Sequence, residues 1–245
     1  MMTQNLLIKP TIIATQQQPT CLTLNMPDVD QLFPCFKPGD FVALYGSPSL
    51  ISLVARVCVR AQIPTQFGGL SSNIVFIDGG NTFRLYKTTR IAQLHGLNPH
   101  KVLEHIFVSR AFTAYQLTSL IMEKLEETVK KYNAKIVVIS DIAGLFLDED
   151  HSEEETQKVY SQVLNYLASF AKKHQIILIT TYLPHNNTKR SAKLKETTLA
   201  KANVVLSFSK TLYTSEIELE KHPTYILGVA DYPTDMTLID FMDNQ

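Results

Sequence analysis

The chain has 245 residues, 45% of them apolar and 19% charged, enough to bury one sizeable core. Lys plus Arg and Asp plus Glu number 23 each, so net charge alone singles out neither nucleic acid nor a membrane surface. No apolar run suits a membrane span or a secretory signal, and Cys21, Cys35 and Cys58 show no C-x-x-C spacing, so they read as reduced thiols of a cytoplasmic protein with no metal framework.

In chain order, residues 1–18 are polar apart from the apolar stretch Leu6–Ile13. They read as an N-terminal arm, 1–21, ahead of a single core domain, 22–245. Leu6, Leu7, Ile8, Ile12 and Ile13 in that arm suit either an edge strand of the same domain or strand addition to a neighbour. Strands are predicted at Phe41–Tyr45, Ile74–Asp78, Ile136–Ser140, Ile176–Thr181, Val204–Ser209 and Tyr225–Ala230. Most are continuous apolar runs, the pattern of strands buried on both faces of a parallel sheet. Helices are predicted between them at Leu50–Ala61, Phe83–His95, Ala114–Tyr132 and Glu154–His174, the last with Val159, Val163, Leu164, Leu167 and Phe170 on one stripe. Alternation of this kind gives an α/β fold with a mostly parallel central sheet flanked by helices. Short strand patterns after residue 203 add an antiparallel C-terminal edge.

The first strand runs into the first long helix through Gly46-Ser47-Pro48-Ser49-Leu50-Ile51-Ser52-Leu53. A phosphate-binding loop there would read G-x-x-x-x-G-K-[ST]. Only Gly46 stands; Ile51 replaces the second glycine, Ser52 the lysine and Leu53 the hydroxyl residue. An ordinary strand-to-helix turn capped by Ser47 or Ser49 also accounts for the segment.

Four further stretches carry a family resemblance. Leu24 to Gly46 leads into the loop. Ile74-Val75-Phe76-Ile77-Asp78-Gly79-Gly80-Asn81-Thr82-Phe83-Arg84 parallels an I-D-T-E-G-T-F-R motif. Ser109-Arg110-Ala111-Phe112 follows, and Val137-Val138-Ile139-Ser140-Asp141 has the form of a Walker B strand. Together these resemble the core domain of the RecA/RadA recombinases, in the right order from about residue 22 to 230. The resemblance implies a RecA-like P-loop fold.

The departures from that family matter as much. Gly80 stands where the family has the glutamate that activates water, and Thr181-Tyr182 where it has Asn-Gln. Asp141 alone keeps its place, at the magnesium-orienting carboxylate; a hydrogen-bonded structural role is the other reading of it. Phosphoryl transfer in this fold is positioning and electrostatic stabilisation. The resemblance with these losses therefore implies a pseudo-ATPase with no catalytic residue and no cofactor. Its vestigial nucleotide site would be Gly46, Ser47, Ser49, Ser52, Leu53, Gly80 and Asp141.

Charge is unevenly placed along the chain, in two segments. Pro184–Lys201 carries His185, Lys189, Arg190, Lys193, Lys195 and Lys201 against one acid, Glu196. It reads as a flexible basic loop, at the family's second DNA-binding loop, with Lys189, Arg190, Lys193, Lys195 and Lys201 as phosphate contacts; a solvated surface loop is the alternative. Asp148 to Glu155 holds six acids, either a partner-binding patch or the first turn of a helix capped by Ser152 and Glu155. His95, His100 and His105, five residues apart, do not align on a helix face.

The expected function is a non-catalytic RecA/RadA-like paralogue in DNA recombination and repair. It would bind single-stranded or non-specific DNA, an active RadA-type recombinase, or copies of itself, and no membrane. A protein-interaction scaffold without DNA affinity and an ATPase with an unconventional nucleotide site are the alternatives.

Overall fold

The computed structural model describes residues 21–148, 152–211 and 214–232; residues 1–20 of the N-terminal arm, 149–151 of the acidic block and 233–245 of the core domain lie outside them. Eight strands form one sheet: β1 (Phe41–Gly46), β2 (Asn73–Asp78), β3 (Ile106–Arg110), β4 (Ala134–Ser140), β5 (Ile177–Tyr182), β6 (Val204–Lys210), β7 (Ser215–Lys221) and β8 (Gly228–Asp231). Their spatial order is β3-β2-β4-β5-β1-β6-β7-β8. The first six are parallel, while β7 and β8 run antiparallel at one edge. This is the predicted α/β architecture, consistent with a RecA-like fold.

Successive strand residues point to opposite faces, and both faces are apolar. Val42, Leu44, Ile74, Phe76, Ile136 and Val138 enter one core layer, with α2 (Leu50–Arg60), α3 (Leu85–Leu94) and α4 (Pro99–Glu104). Phe41, Ala43, Val75, Ile77, Val137 and Ile139 enter the other, with α5 (Ala114–Ser119), α6 (Leu125–Tyr132), α7 (Glu153–His174) and α8 (Lys189–Lys201). A short α1 (Pro27–Leu32) precedes the sheet. Because the six strands are parallel, all their carboxyl ends share one rim, where ligands bind in open α/β sheets.

Several boundaries differ from the sequence expectation. The helix predicted over Ala114–Tyr132 contains a wide π turn at Leu120–Lys124 between α5 and α6. The last strand starts at Gly228, not Tyr225, because Tyr225 stacks on His222 (ring centroids 3.9 Å apart) in the turn after β7. The sequence reading missed α4, β3 and the strict alternation of β7, S-E-I-E-L-E-K. The helix of the acidic block starts as expected, with Ser152 Oγ accepting from the Glu155 amide at 3.2 Å.

Two corrections follow. Residues 189–201 are a helix, not a flexible loop. Its buried stripe, Ser191, Leu194 and Thr198, is spaced for a helix, but two of its three members are polar and hid the period. Cys21 and Cys35 are joined in a disulfide, not reduced. Leu22 and Phe36, the residues next to them, exchange backbone hydrogen bonds at 2.9 Å, which sets the two cysteine Cα atoms 5.7 Å apart, within disulfide reach. The cytoplasmic expectation thus loses the support of reduced cysteines. Among the described residues no helix is long and apolar enough to cross a membrane.

Candidate functional site

The turn after β1 is tied into the protein by its own backbone. Gly46 has φ +107°, and a Cβ there would lie 2.1 Å from the Phe208 carbonyl oxygen of β6, so glycine is required. The Ser47 amide donates to that same carbonyl at 2.8 Å. Pro48 has no amide. Ser49 N–H donates to Ser47 Oγ (3.3 Å). Leu50, Ile51 and Ser52 donate to the carbonyls of Ser47, Pro48 and Ser49 at 2.9–3.1 Å. Every backbone donor from Ser47 to Ser52 therefore has an acceptor inside the protein, whereas a phosphate cradle presents such amides to its ligand. Ser47, not Ser49, supplies the side-chain acceptor at the turn; Ser49 has helical backbone angles and caps nothing.

Ser52 and Leu53 sit in the first turns of α2. Lys87 of α3 donates from Nζ to Ser52 Oγ at 2.8 Å. Leu53 is fully buried in the core, so position 53 faces the interior and not the rim.

At the ends of β2 and β4 two aspartates have distinct roles. Asp78 is buried and accepts from the Thr82 amide (2.8 Å), Ser140 Oγ (2.7 Å), the Phe83 amide (3.3 Å) and Arg110 Nη2 (3.2 Å). Burial pushes its carboxyl up, but the Ser140 hydroxyl, the two amides and the Arg110 guanidinium outweigh burial and hold it below the usual range. Asp141 has a left-handed backbone, φ +46°, with its amide on Thr181 Oγ1 at 2.8 Å. Its Oδ1 accepts from His185 Nε2 at 2.7 Å and from the Leu183 amide at 3.4 Å. A Cβ at Gly80 would lie 2.5 Å from the Asp141 Cβ, and one at Gly144 would lie 2.3 Å from Asp141 Oδ2. The Asp141 side chain is wedged between two glycines and bonded to a histidine.

The basic residues are spread around α8, which starts with Thr188 Oγ1 accepting from the Ser191 amide (3.1 Å). Tyr160 of α7 and Tyr182 of β5 satisfy the hydroxyls of its buried stripe, bonding Thr198 Oγ1 at 2.6 Å and Ser191 Oγ at 2.9 Å. Lys189 and Lys193, one turn apart, are exposed, as is Lys201. Arg190 donates to the Asp148 carbonyl. Lys195 lies on the other flank with Nζ 4.0 Å from the Tyr45 ring centroid, a cation–π contact. The structure therefore brings together Lys189 and Lys193 but directs Arg190 and Lys195 to partners within the domain.

Sequence reasoning missed the roles of Lys87 and His185. Their partners, Ser52 and Asp141, lie 35 and 44 residues away in the chain, and no local spacing signals either pair.

The chain also matches known proteins. The family model described as Rad51 matches residues 47–206. The DNA repair and recombination protein RadA of Cenarchaeum symbiosum (strain A) is 33% identical over 93 residues, which are 38% of this chain. The match spans 23% of that relative's length.

Proposed function

The chain belongs to the Rad51 family, and on that premise we propose that it is a non-catalytic member acting in DNA recombination and repair, which binds single-stranded or non-specific DNA, an active recombinase, or both. The observation that carries the reading is the backbone accounting at the turn after β1: the amides of Ser47, Ser49, Leu50, Ile51 and Ser52 are all spent on protein acceptors. The nucleotide and magnesium that the family implies do not fit these residues. Position 53 is a buried leucine, the space beside Gly80 is filled by Asp141, and Asp141 Oδ1 is engaged by His185. The RadA relative is a DNA repair and recombination protein, which supports the biological setting.

A subunit that cannot hold nucleotide cannot be switched by it, so its contacts are constitutive. Binding to DNA would come from phosphate neutralisation by Lys189, Lys193 and Lys201 on α8, with Arg190 and Lys195 as weaker contributors, and would be non-specific and salt-sensitive. In the experiment, melting temperature and phosphate release are measured in millimolar Mg-ATP, and anisotropy is measured with labelled single-stranded DNA across a salt series. A flat melting temperature, no phosphate release and salt-sensitive DNA affinity that collapses on Lys189→Ala with Lys193→Ala are expected. Stabilisation by about 2–3 kcal/mol at ~100-fold nucleotide excess over its dissociation constant would overturn the non-catalytic reading. Absence of DNA affinity at low salt would overturn the DNA-binding one.

A further inference from the structure

We propose that the rim where β2 and β3 end is a stacking platform for the bases of single-stranded nucleic acid, with Phe112, Tyr115 and Tyr86 as rings and Arg84 as a phosphate-binding cation. This rests on the DNA-binding reading and extends it to a second place, away from α8.

β2 and β3 pair in register with Asp78 beside Arg110. The loops leaving the two strands are both fastened to Asp78. Thr82 and Phe83 donate to its carboxylate from one loop. Arg110 donates to the carboxylate, and the Ala111 amide to the Asp78 carbonyl at 3.1 Å, from the other. Beyond these anchors the side chains turn outward: Phe112 is 72% exposed, Tyr115 81% and Tyr86 87%. Phe112 is held in place, because its amide donates to Gln116 Oε1 at 2.8 Å while the Gln116 amide donates to Thr113 Oγ1 at 3.1 Å. Tyr86 and Tyr115 are each the second residue of a helix, α3 and α5. These helices pack in opposite core layers, so the tyrosines flank the rim from its two sides with Phe112 at the end of β3 between those layers.

Large rings left exposed where two neighbouring strands end mark a binding surface, and charge selects the occupant. Of the cations near this end of the strands, Arg84, Lys87 and Arg90 follow β2 with no acid among residues 79–98, while Arg110 is paired with Asp78, in a chain that is neutral overall. Positive charge interleaved with exposed rings fits a phosphodiester strand with accessible bases: each base has a face to stack and each phosphate a cation to meet. A duplex hides its base faces, so the platform selects single strands. The acids in the first turn of α7, Glu153, Glu154 and Glu155, repel phosphates, and no such cluster stands among residues 79–98 after β2.

The experiment measures anisotropy of labelled oligodeoxythymidylate, and of an abasic oligomer of equal length, across a salt series. The full chain is compared with Phe112→Ala plus Tyr115→Ala, with Arg84→Ala, and with Lys189→Ala plus Lys193→Ala. Both rings are exposed, and circular dichroism melts check that the fold is kept. Removing the two rings is expected to weaken oligodeoxythymidylate binding by at least about tenfold, with the salt slope and abasic binding unchanged. Arg84→Ala is expected to lower the slope by about 0.7.

Parental affinity in the ring variant, alongside weakened binding in the α8 variant, overturns the platform and leaves the function above intact. Equal losses on oligodeoxythymidylate and the abasic oligomer also overturn it, as does a change in sedimentation without a change in DNA affinity, which assigns the rings to a protein contact. No binding by the parent chain at low salt overturns both.

Discussion

The Asp141 side chain occupies the space in which a side chain at position 80 would begin: a Cβ on Gly80 would stand 2.5 Å from the Asp141 Cβ. A glutamate at 80 therefore cannot be added without moving Asp141, which is held by its left-handed backbone, by Thr181 and by His185. Gly80→Ala and Gly80→Glu should each lower stability by about 1–3 kcal/mol, the usual cost of overpacking, as read by urea denaturation. Gly80→Glu should yield no phosphate release from ATP.

The disulfide predicts a redox-dependent stability. Closing a 14-residue separation between Cys21 and Cys35 should contribute about 3 kcal/mol by restricting the unfolded chain. Dithiothreitol should lower the melting temperature of the parent and leave Cys35→Ser unaffected. Cys58 is fully buried, and burial pushes its thiol up to about 12. It should react with a maleimide only after unfolding, which mass spectrometry of the labelled protein checks.

His222 predicts an acid-sensitive turn. Its Nδ1 accepts from the amides of Thr224 (3.0 Å) and Tyr225 (2.9 Å), which requires the neutral ring, and burial lowers its pKa from the ordinary value of 6.5. With the folded value depressed, the unfolded chain binds a proton that the folded chain refuses. The stabilising contribution is therefore present above pH 6.5 and is lost as pH falls from there through the folded value. Melting temperatures measured from pH 8 to pH 5 should fall more steeply for the parent than for His222→Gln.

The docking of α8 predicts coupled hydroxyls. Tyr160 and Thr198 share a buried hydrogen bond of 2.6 Å between α7 and α8. Tyr160→Phe and Thr198→Val should each cost about 1–2 kcal/mol: the second strands the buried Tyr160 hydroxyl, and the first removes its bond while leaving Thr198 Oγ1 on the Leu194 carbonyl. The double variant should cost less than the sum, which a double-mutant cycle by urea denaturation measures. Additive losses would show that the two hydroxyls are not paired.

What the sequence by itself determined is local. Phe41–Tyr45, Ile74–Asp78 and Ile136–Ser140 are apolar runs that any window reveals as strands, and the long helix stripe Val163, Leu164, Leu167 and Phe170 has the period of a helix. The residues at 51, 52, 53 and 80 were equally legible, because a residue type at a fixed offset within a motif needs no partner to be read. Only the tertiary structure decided which groups meet. His185 on Asp141, Lys87 on Ser52 and Cys35 on Cys21 join residues 44, 35 and 14 apart, brought together by parallel crossovers and one antiparallel bridge. The same holds for α8, whose helical period is carried by Ser191 and Thr198 as much as by Leu194. Hydroxyls read as solvent-facing until a fold supplies Tyr182 and Tyr160 to satisfy them, and polar burial of that kind depends on partners that no local window contains.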